Sequence, residues 1–257
     1  MKYFIDTEFL EGTQREKFPV SLFRKESKPT IDLISIGIVA DDGREYYAIS
    51  KDFNLKEAWN RYDIKKDVTK PKYTWDSKIK ESEKVYWIRE NVLYPIFLEL
   101  ATKNNNEFIG YTFTYKLFEK LICKYGKTNK QIAEEIKSIF TADKVKHTGV
   151  FPNTFPKDVQ FYGYYADYDW VAFCWLFGKM IDLPNRFPMY CIDLKQKLDD
   201  YFEANSKDNK IPYATNNGWV WVNSIKEFPD FPRQTNEHNA LTDARWNKKL
   251  YEFLQTI

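Results

Sequence analysis

Apolar runs in the first fifty residues predict three β-strands. The first runs from Tyr3 to Phe9, the second from Asp32 to Ala40, and the third is the run REYYAIS. The second run is rich in Ile and Val, whose branched side chains favour strands. The turn signal Asp41-Asp42-Gly43 separates the second and third runs and indicates a hairpin. The chain therefore opens on a predicted antiparallel meander, and the polar, basic segment from Glu11 to Pro29 predicts a loop or flap.

Beyond residue 50 the apolar spacing becomes helical. The stretch from Glu83 to Leu100 repeats at helical spacing, and Pro95 should kink or divide it. A second helix is predicted from Tyr115 to Tyr125, ending at Gly126. The segment Thr128-Asn129-Lys130-Gln131 has the form of a capping box and predicts the start of a third helix.

The second half of the chain alternates strands and helices. The pattern predicts a strand at Val159–Tyr165, a helix at Asp167–Gly178, a strand at Met189–Ile192, a helix at Leu194–Phe202, an irregular stretch at Asn205–Pro232 and a last helix at Asn239–Leu254. If part of the irregular stretch is a strand, Trp219 and Trp221 share a face, either buried together or offered for stacking, and burial is the expected outcome. Strands followed by alternating strands and helices predict one mixed α/β domain over 1–257, with insertions at about 11–30 and 101–157.

Composition narrows the class of protein. Hydrophobic residues make up 43% of the 257 residues, which is enough for a large core. The net charge is only +2, so any binding of nucleic acid must depend on local basic patches. The three cysteines form no CxxC pair, which indicates a reducing compartment and no zinc site. With neither a signal peptide nor an apolar membrane span in the sequence, we expect a cytoplasmic protein without a membrane partner. No phosphate-binding loop and no GxSxG nucleophile motif is present.

Two acids stand inside the first apolar run, in the sequence MKYFIDTEFL. Asp is depleted in strands, and side chains alternate along a strand, so Asp6 and Glu8 project from the same face. Their mutual repulsion disappears if they share a divalent cation. The competing interpretation is an edge strand with a solvated polar face, and the pair alone favours that interpretation.

Three further polar residues stand at predicted helix starts. Asp169 lies in YADYDWVAFCWLFG, and His238 and Asp243 lie in HNALTDARWN. Asp167 is the rival to Asp169, although its simplest role is that of a helix N-cap. Asp169 could equally be a first-turn acid favoured by the helix dipole. A histidine near a helix start is often a cap or a surface residue.

Taken in order, these motifs resemble the DEDD superfamily of 3′-to-5′ exonucleases, in its subgroup with a catalytic histidine (DEDDh). An Asp-x-Glu on the first strand, an Asp at a middle helix and a His-x4-Asp at the last helix follow that family's order. The blocks YFIDTEFLE, DLISIGIVADDGREYYAIS, WIRENVLYPI, YDWVAFCWLFG and HNALTDAR are similar to the mycobacterial adenylate-trimming exoribonuclease family. They cover about half of the chain. The inserted segments put the substrate range and the oligomeric state in question.

The resemblance implies an RNase H-like (DnaQ-like) fold, with a mixed five-stranded sheet that begins as an antiparallel meander and is flanked by helices. It implies that four carboxylates, Asp6, Glu8, Asp169 and Asp243, bind two divalent cations, Mg²⁺ or Mn²⁺. Such ions lie ~3.5–4 Å apart in two-metal sites. His238 would be the general base that takes a proton from the attacking water, as a neutral imidazole can.

The implied reaction releases nucleoside 5′-monophosphates from the 3′ end of single-stranded RNA. The alternatives are a DNA exonuclease of the proofreading type and a relative that binds nucleic acid without cutting it. The resemblance also allows a homodimer. Phe9 would pack on the terminal base or sugar, with a core position as the competing interpretation. The basic residues from Arg15 to Lys28 could track the phosphate backbone, or they could form an ordinary solvated surface.

Overall fold

The computed structural model describes residues 1–13, 29–65, 84–103, 112–141, 159–215 and 218–257. The basic residues from Arg15 to Lys28 lie outside this part of the chain. The five sequence blocks quoted above for the family resemblance lie within the described residues. The strands are β1 (Lys2–Thr13), β2 (Pro29–Ala40), β3 (Glu45–Ile49), β4 (Asp63–Ile64), β5 (Lys84–Val85), β6 (Gln160–Gly163), β7 (Ile192–Asp193), β8 (Ile211–Thr215) and β9 (Gly218–Val222).

Seven α-helices are described in the same part of the chain. They are α1 (Leu55–Asn60), α2 (Tyr94–Lys103), α3 (Tyr115–Tyr125), α4 (Asn129–Thr141), α5 (Asp167–Phe177), α6 (Leu194–Asn205) and α7 (Ala240–Leu254). A π-helical segment, Arg89–Leu93, precedes α2 directly, and two short 3₁₀ turns lie at Met180–Asp182 and Ile225–Glu227. None of the described helices is long and apolar enough to cross a bilayer.

The main sheet has five strands in the order β3-β2-β1-β6-β7. β6 pairs with both β1 and β7 in parallel. β2 and β3 are neighbours joined by a short turn in which Gly43 has a φ of +89° and donates to the carbonyl of Ala40 over 3.1 Å. Glycine adopts that backbone region without steric cost. The prediction of an α/β fold with a mixed five-stranded sheet is therefore confirmed, and β1 is the central strand of that sheet.

The chain divides into two compact units. The first comprises residues 1–7, 36–47 and 133–257, and the second residues 8–35 and 48–132. In the first unit, rings of Phe161, Trp170 and Phe173 pack with centroids 5.0 to 5.2 Å apart. In the second, Trp59 packs on Phe113 at 4.7 Å. The organisation as a single domain stays a prediction.

Local signals placed several helices correctly. Helix α3 covers the predicted range and ends at the cap Gly126. The capping box at the start of α4 is formed, because Gln131 donates to the hydroxyl of Thr128 over 3.1 Å and its side chain accepts from the Thr128 backbone over 2.9 Å. Such reciprocal bonds satisfy amide donors that the first turn leaves unpaired.

One predicted helix is shorter and less regular than its pattern indicates. Lys84 and Val85 form β5, and the turns that follow are π-helical before α2 begins at Tyr94. The Tyr94 amide bonds to the carbonyl of Arg89, five residues back. Pro95 has no amide hydrogen to donate, so the change of hydrogen-bonding pattern falls where a regular helix would be interrupted.

The stretch from Asn205 to Pro232 is more ordered than predicted. It contains the hairpin β8–β9, in which Ala214 pairs with Trp219 and Pro212 with Trp221. The two tryptophans were expected to be buried, and this prediction is wrong, because they are 71% and 49% exposed. A two-stranded sheet has two faces, and it has too few side chains of its own to bury both of them. Trp175 on α5 is also exposed, at 47%.

Candidate metal and catalytic site

Carboxylate oxygens of Asp6, Glu8 and Asp243 lie within 4.8 Å of one another. Asp6 is half-buried, while Glu8 and Asp243 are buried with 9% and 6% of their surface exposed. Among the described residues, this is the group of three or more acids, histidines or cysteines with spacing suited to a metal ion. The structure thus brings together three of the four carboxylates that the sequence analysis selected.

Strand geometry and helix capping position these acids. Asp6 and Glu8 are two apart in β1, whose alternation directs both to one face. Asp243 stands in the first turn of α7. Asn239 caps that helix by accepting from the Thr242 amide over 3.1 Å. The cap fixes where the helix begins and therefore where its first-turn carboxylate stands.

Two contacts hold α7 close to the sheet within the first unit. Asn247, 1% exposed, donates from Nδ2 to the carbonyl of Ile5 over 2.9 Å. A Cβ on Gly37 of β2 would lie 2.2 Å from the carbonyl oxygen of Ala240, so only glycine permits this approach. Asn247 and Ala240 each lie about one helical turn from Asp243, and Ile5 directly precedes Asp6.

The Asp243 carboxylate accepts two hydrogen bonds from the loop before α7. Gln234 donates from Nε2 to Oδ1 over 2.7 Å, and the His238 amide donates to Oδ2 over 2.9 Å. Burial raises the pKa of Asp243 above its usual range, and these two bonds oppose the rise. His238 is half-buried and has a φ of +68°. This left-handed backbone is uncommon in residues other than glycine and is often found at functional sites.

Asp169 is held against the middle of β1. Its Oδ1 accepts from the Thr7 amide over 2.9 Å and from the Thr7 hydroxyl over 2.5 Å. Burial raises the pKa of Asp169 to about 7, the Thr7 bonds oppose that rise, and the carboxylates of Asp193 and Asp243 add to it. Asp169 is therefore close enough to the candidate site to feel the charge of Asp243, although its oxygens are not in the group within 4.8 Å.

The choice between Asp167 and Asp169 has a structural basis. Asp167 was considered as the N-cap of α5, but the cap position is occupied by Ala166 and Asp167 is the first helical residue. Asp167 is exposed, whereas Asp169 is 5% exposed and hydrogen-bonded to the strand that carries Asp6. Asp169 is the better-placed candidate.

Asp193, at the end of β7, fixes the start of two helices. One carboxylate oxygen accepts from the amides of Lys195 and Gln196 at the start of α6, and the other accepts from the amide of Ala166 over 3.0 Å. Because Ala166 precedes α5, Asp193 also sets the position from which Asp169 projects.

Sequence reasoning missed the residues that hold the acids in place. Thr7, Gln234 and Asn247 each bond to a candidate ligand or to the backbone beside one. Thr7 could have been noticed, since it separates the two acids and so faces the opposite side of the strand. The other two contacts depend on tertiary structure, and no local pattern marks them.

The side chains suit a hard divalent cation. Oxygen donors from carboxylates favour Mg²⁺ or Mn²⁺ over zinc, which prefers nitrogen and sulfur. Burial raises the pKa of Asp169 and of Asp243. A nearby cation would lower both pKa values again, because it favours the ionised carboxylate. All three cysteines are free thiols, and Cys123 is exposed.

Comparison with known proteins supports a relationship to exoribonucleases. The chain is 25% identical over 245 residues to proteins named 3′-5′ exoribonuclease from two strains of Mycobacterium tuberculosis, CDC 1551 / Oshkosh and ATCC 25618 / H37Rv. In both cases the alignment spans 95% of this chain and 88% of the relative. No family model matches the chain.

Proposed function

We propose that this chain is a metal-dependent 3′-5′ exoribonuclease of the DEDDh type, with one RNase H-like catalytic domain over 1–257. The observation that carries the proposal is the meeting of the oxygens of Asp6, Glu8 and Asp243 within 4.8 Å. The relationship to proteins named 3′-5′ exoribonuclease supports the direction of cleavage and the choice of RNA.

In this proposal the four carboxylates hold two Mg²⁺ or Mn²⁺ ions. Asp6, central on β1, would hold the ions together with Glu8, Asp243 and Asp169, and the ions would supply the positive charge that the phosphodiester chemistry needs. Bound ions would neutralise charge on the attacking and leaving oxygens of the phosphodiester. Hydrogen bonds would keep these carboxylates in position. They are the bonds of Thr7, Gln234 and Asn247 described above.

His238 is proposed as the general base that accepts a proton from the attacking water. Its backbone is fixed to Asp243 by the 2.9 Å amide bond, so its position depends on the same carboxylate. The products are then nucleoside 5′-monophosphates released one by one from an unpaired 3′ end. We propose the cytoplasm as the compartment, since free cysteines suit a reducing environment. A homodimer stays a prediction.

Incubation with end-labelled RNA and with DNA of the same sequence tests this function. We expect mononucleotide release from RNA in Mg²⁺ and none in EDTA, with loss of release in Asp6→Asn and His238→Ala. Preferential release from DNA would instead identify a DNA exonuclease, and binding without release in every metal would identify a non-catalytic relative.

A matched pair of variants tests the third acid. Asp169→Asn should abolish release, because it removes a buried carboxylate beside the site. Asp167→Asn, two residues away and exposed, should leave release unchanged. The reverse result would transfer the role to Asp167 and would contradict the proposed set of ligands.

A further inference from the structure

Hairpin β8–β9 turns one face to the core and the other to solvent. The packed face carries Ile211, which is fully buried, and Tyr213, whose ring lies 4.6 Å from that of Phe228. Residues that pair across a hairpin project to the same face, and neighbours along a strand project to opposite faces. The ladder therefore places Trp219 and Trp221 together on the solvent face. We call this face the tryptophan platform, and its residues are Pro212, Ala214, Trp219 and Trp221.

The cross-strand partners of the two tryptophans are too small to cover them. Trp219 stands opposite Ala214, and Trp221 stands opposite Pro212. Trp219 is the most exposed of the large hydrophobic residues in the described part of the chain. No aromatic ring among the described residues packs on either indole. Aromatic side chains with an exposed face are the surfaces on which single-stranded nucleic acids stack their bases.

The spacing of the two tryptophans suits nucleobases. Two residues of an antiparallel strand span ~6.8 Å, which is twice the rise per residue. Stacked bases repeat every ~3.4 Å along one strand of nucleic acid. One base therefore fits between two rings that are held ~6.8 Å apart, at stacking distance from each ring.

Two lysines next to the start of β8 supply positive charge. Lys207 and Lys210 close a tight turn through backbone hydrogen bonds of 2.7 and 3.0 Å. Asp208 and Asn209 in this turn have φ values of +52° and +58°, as a type I′ turn requires. Both lysines are exposed, and neither forms an ion pair within the described residues. Lys210 precedes Pro212 by two positions, so strand alternation directs it to the face of the platform.

The size and the charge of the platform favour RNA over a second copy of this chain. Its five residue pairs give a face about 17 Å long and about 10 Å wide. A stable protein dimer buries ~800 Å² on each partner, which is several times that area. In a two-fold dimer, Lys207 and Lys210 would also meet their own copies. The phosphates of a nucleic acid would instead neutralise them.

The packed face of the hairpin ties the platform to the helix that carries Asp243. The Phe228 ring, on which Tyr213 packs, lies 6.3 Å from the ring of Phe253 on α7. Phe253 follows Asp243 by ten residues, a distance of ~15 Å along a helix. An RNA that reaches both Asp243 and the platform must therefore be longer than a dinucleotide.

We propose that the tryptophan platform stacks bases of single-stranded RNA upstream of its 3′ end, with Lys207 and Lys210 against the phosphates. The proposal rests on the proposed function, because it takes the bound strand to be the substrate. Every base has a flat face to stack on indole, so the platform adds affinity without a base preference. Its residues differ from Phe9, which is half-buried in β1 and stays the predicted contact of the terminal nucleotide.

Fluorescence anisotropy with fluorescein-labelled RNA of mixed sequence, in EDTA, tests the proposal without turnover. An RNA of about 20 nucleotides is longer than the ~4–16 nucleotides that one OB-fold covers. We expect Trp219→Ala and Trp221→Ala each to weaken binding at least about fivefold, the lower end of the effect of removing one stacked ring. Trp219→Phe keeps a ring and should retain most of the affinity. Wild-type affinity in both alanine variants would overturn the proposal.

Val220→Ala is the matched control. Val220 is 48% exposed, lies between the two tryptophans and projects from the other face of the hairpin. Its replacement should leave RNA affinity unchanged. An equal loss in Val220→Ala and Trp219→Ala would show that the hairpin matters through its fold rather than its indoles, and would contradict the platform.

Salt dependence tests the phosphate contacts. Each phosphate that a lysine neutralises on a single strand contributes ~0.7 to the slope of log affinity against log salt concentration. Lys207→Gln and Lys210→Gln should each reduce the magnitude of that slope by about 0.7. An unchanged slope in both variants would overturn the assignment of phosphates to these lysines.

Substrate length gives a second measurement, with turnover in Mg²⁺. The ratio of kcat/KM for the long RNA to kcat/KM for a dinucleotide should fall at least about fivefold in Trp219→Ala. Val220→Ala should keep the wild-type ratio. An equal fall of kcat/KM for both substrates in Trp219→Ala would place the effect at the acids and would contradict the platform.

A different occupant would give a different result. A wild-type dimer that Trp219→Ala dissociates in analytical ultracentrifugation would place a second copy on the platform. Binding to anionic lipid vesicles that Trp219→Ala abolishes, with RNA affinity retained, would place a membrane surface there. Either result would overturn the proposal.

The two proposals can fail separately. Wild-type RNA affinity in Trp219→Ala and Trp221→Ala, with mononucleotide release retained, would reject the platform alone. Loss of affinity in these variants, with no mononucleotide release from the wild-type protein in any metal, would reject the exonuclease and keep the RNA-binding platform.

Discussion

Asn247 on α7 donates a 2.9 Å hydrogen bond from its Nδ2 to the carbonyl oxygen of Ile5 in β1. Asn247 stands one helical turn after Asp243, and Ile5 directly precedes Asp6. One buried contact therefore ties the helix that carries one candidate ligand to the strand that carries another. The candidate site depends on this link as well as on the acids themselves.

Replacing Asn247 should lower both stability and activity. Asn247→Ala leaves the Ile5 carbonyl without its donor in a buried environment, which we expect to cost about 1–3 kcal/mol in the free energy of unfolding. Urea denaturation measures this loss. Asn205→Ala is the matched control, because Asn205 is exposed and donates to the carbonyl of Tyr201 over 2.8 Å within α6. A similar loss in both variants would show that the contact between α7 and β1 has no special role.

Gln234 should affect metal affinity more than stability. Its side chain is exposed apart from its 2.7 Å bond to Asp243 Oδ1. Removing a residue that orients a metal ligand typically lowers affinity or activity by ~10–100-fold, and we expect a loss in that range for Gln234→Ala. Titration with Mn²⁺, followed by the rate of RNA hydrolysis, measures it. Gln255→Ala, exposed at the end of α7, should have no effect, and wild-type affinity in Gln234→Ala would contradict the positioning role.

Divalent ions should stabilise the folded protein. Carboxylates held within 4.8 Å repel one another until a cation joins them, so saturating Mn²⁺ should raise the melting temperature by several degrees. Asp6→Asn should lose most of this increase. The control Asp199→Asn removes an exposed acid paired with Lys195 and should keep it. An equal increase in Asp6→Asn and wild type would place the ion elsewhere.

The raised pKa of Asp169 predicts how stability changes with pH when metal is absent. A carboxyl whose pKa is about 7 when folded and 3.8 when unfolded binds more protons in the folded state between those values. Stability in EDTA should therefore fall as pH rises from about 4 to about 7. Asp243, whose pKa is also raised, contributes in the same direction.

Asp169→Asn should remove most of this fall, because an amide does not titrate. Urea denaturation at successive pH values in EDTA measures the slope. Asp167→Asn, an exposed position, should keep it. An unchanged slope in Asp169→Asn would mean that other buried acids account for the pH dependence.

Local chemistry explains which parts of the fold were predictable. The turn at Gly43, the capping box at Thr128 and the cap at Gly126 are short-range signals, and each appears as expected. The exposure of Trp219 was not predictable, because alternation shows that two residues share a face and does not show whether another element covers it. The sequence order of the acids indicated a common site, while the Gln234 and Asn247 contacts emerge only when distant segments meet.

The hydrogen bond from Asn247 to Ile5 joins residues 242 positions apart. During translation, the strand with Asp6 leaves the ribosome long before the helix with Asp243 has been made. Its parallel neighbour β6 also arrives late, since Lys2 pairs with Gln160. A nascent chain therefore cannot assemble this group of carboxylates until synthesis has passed α7.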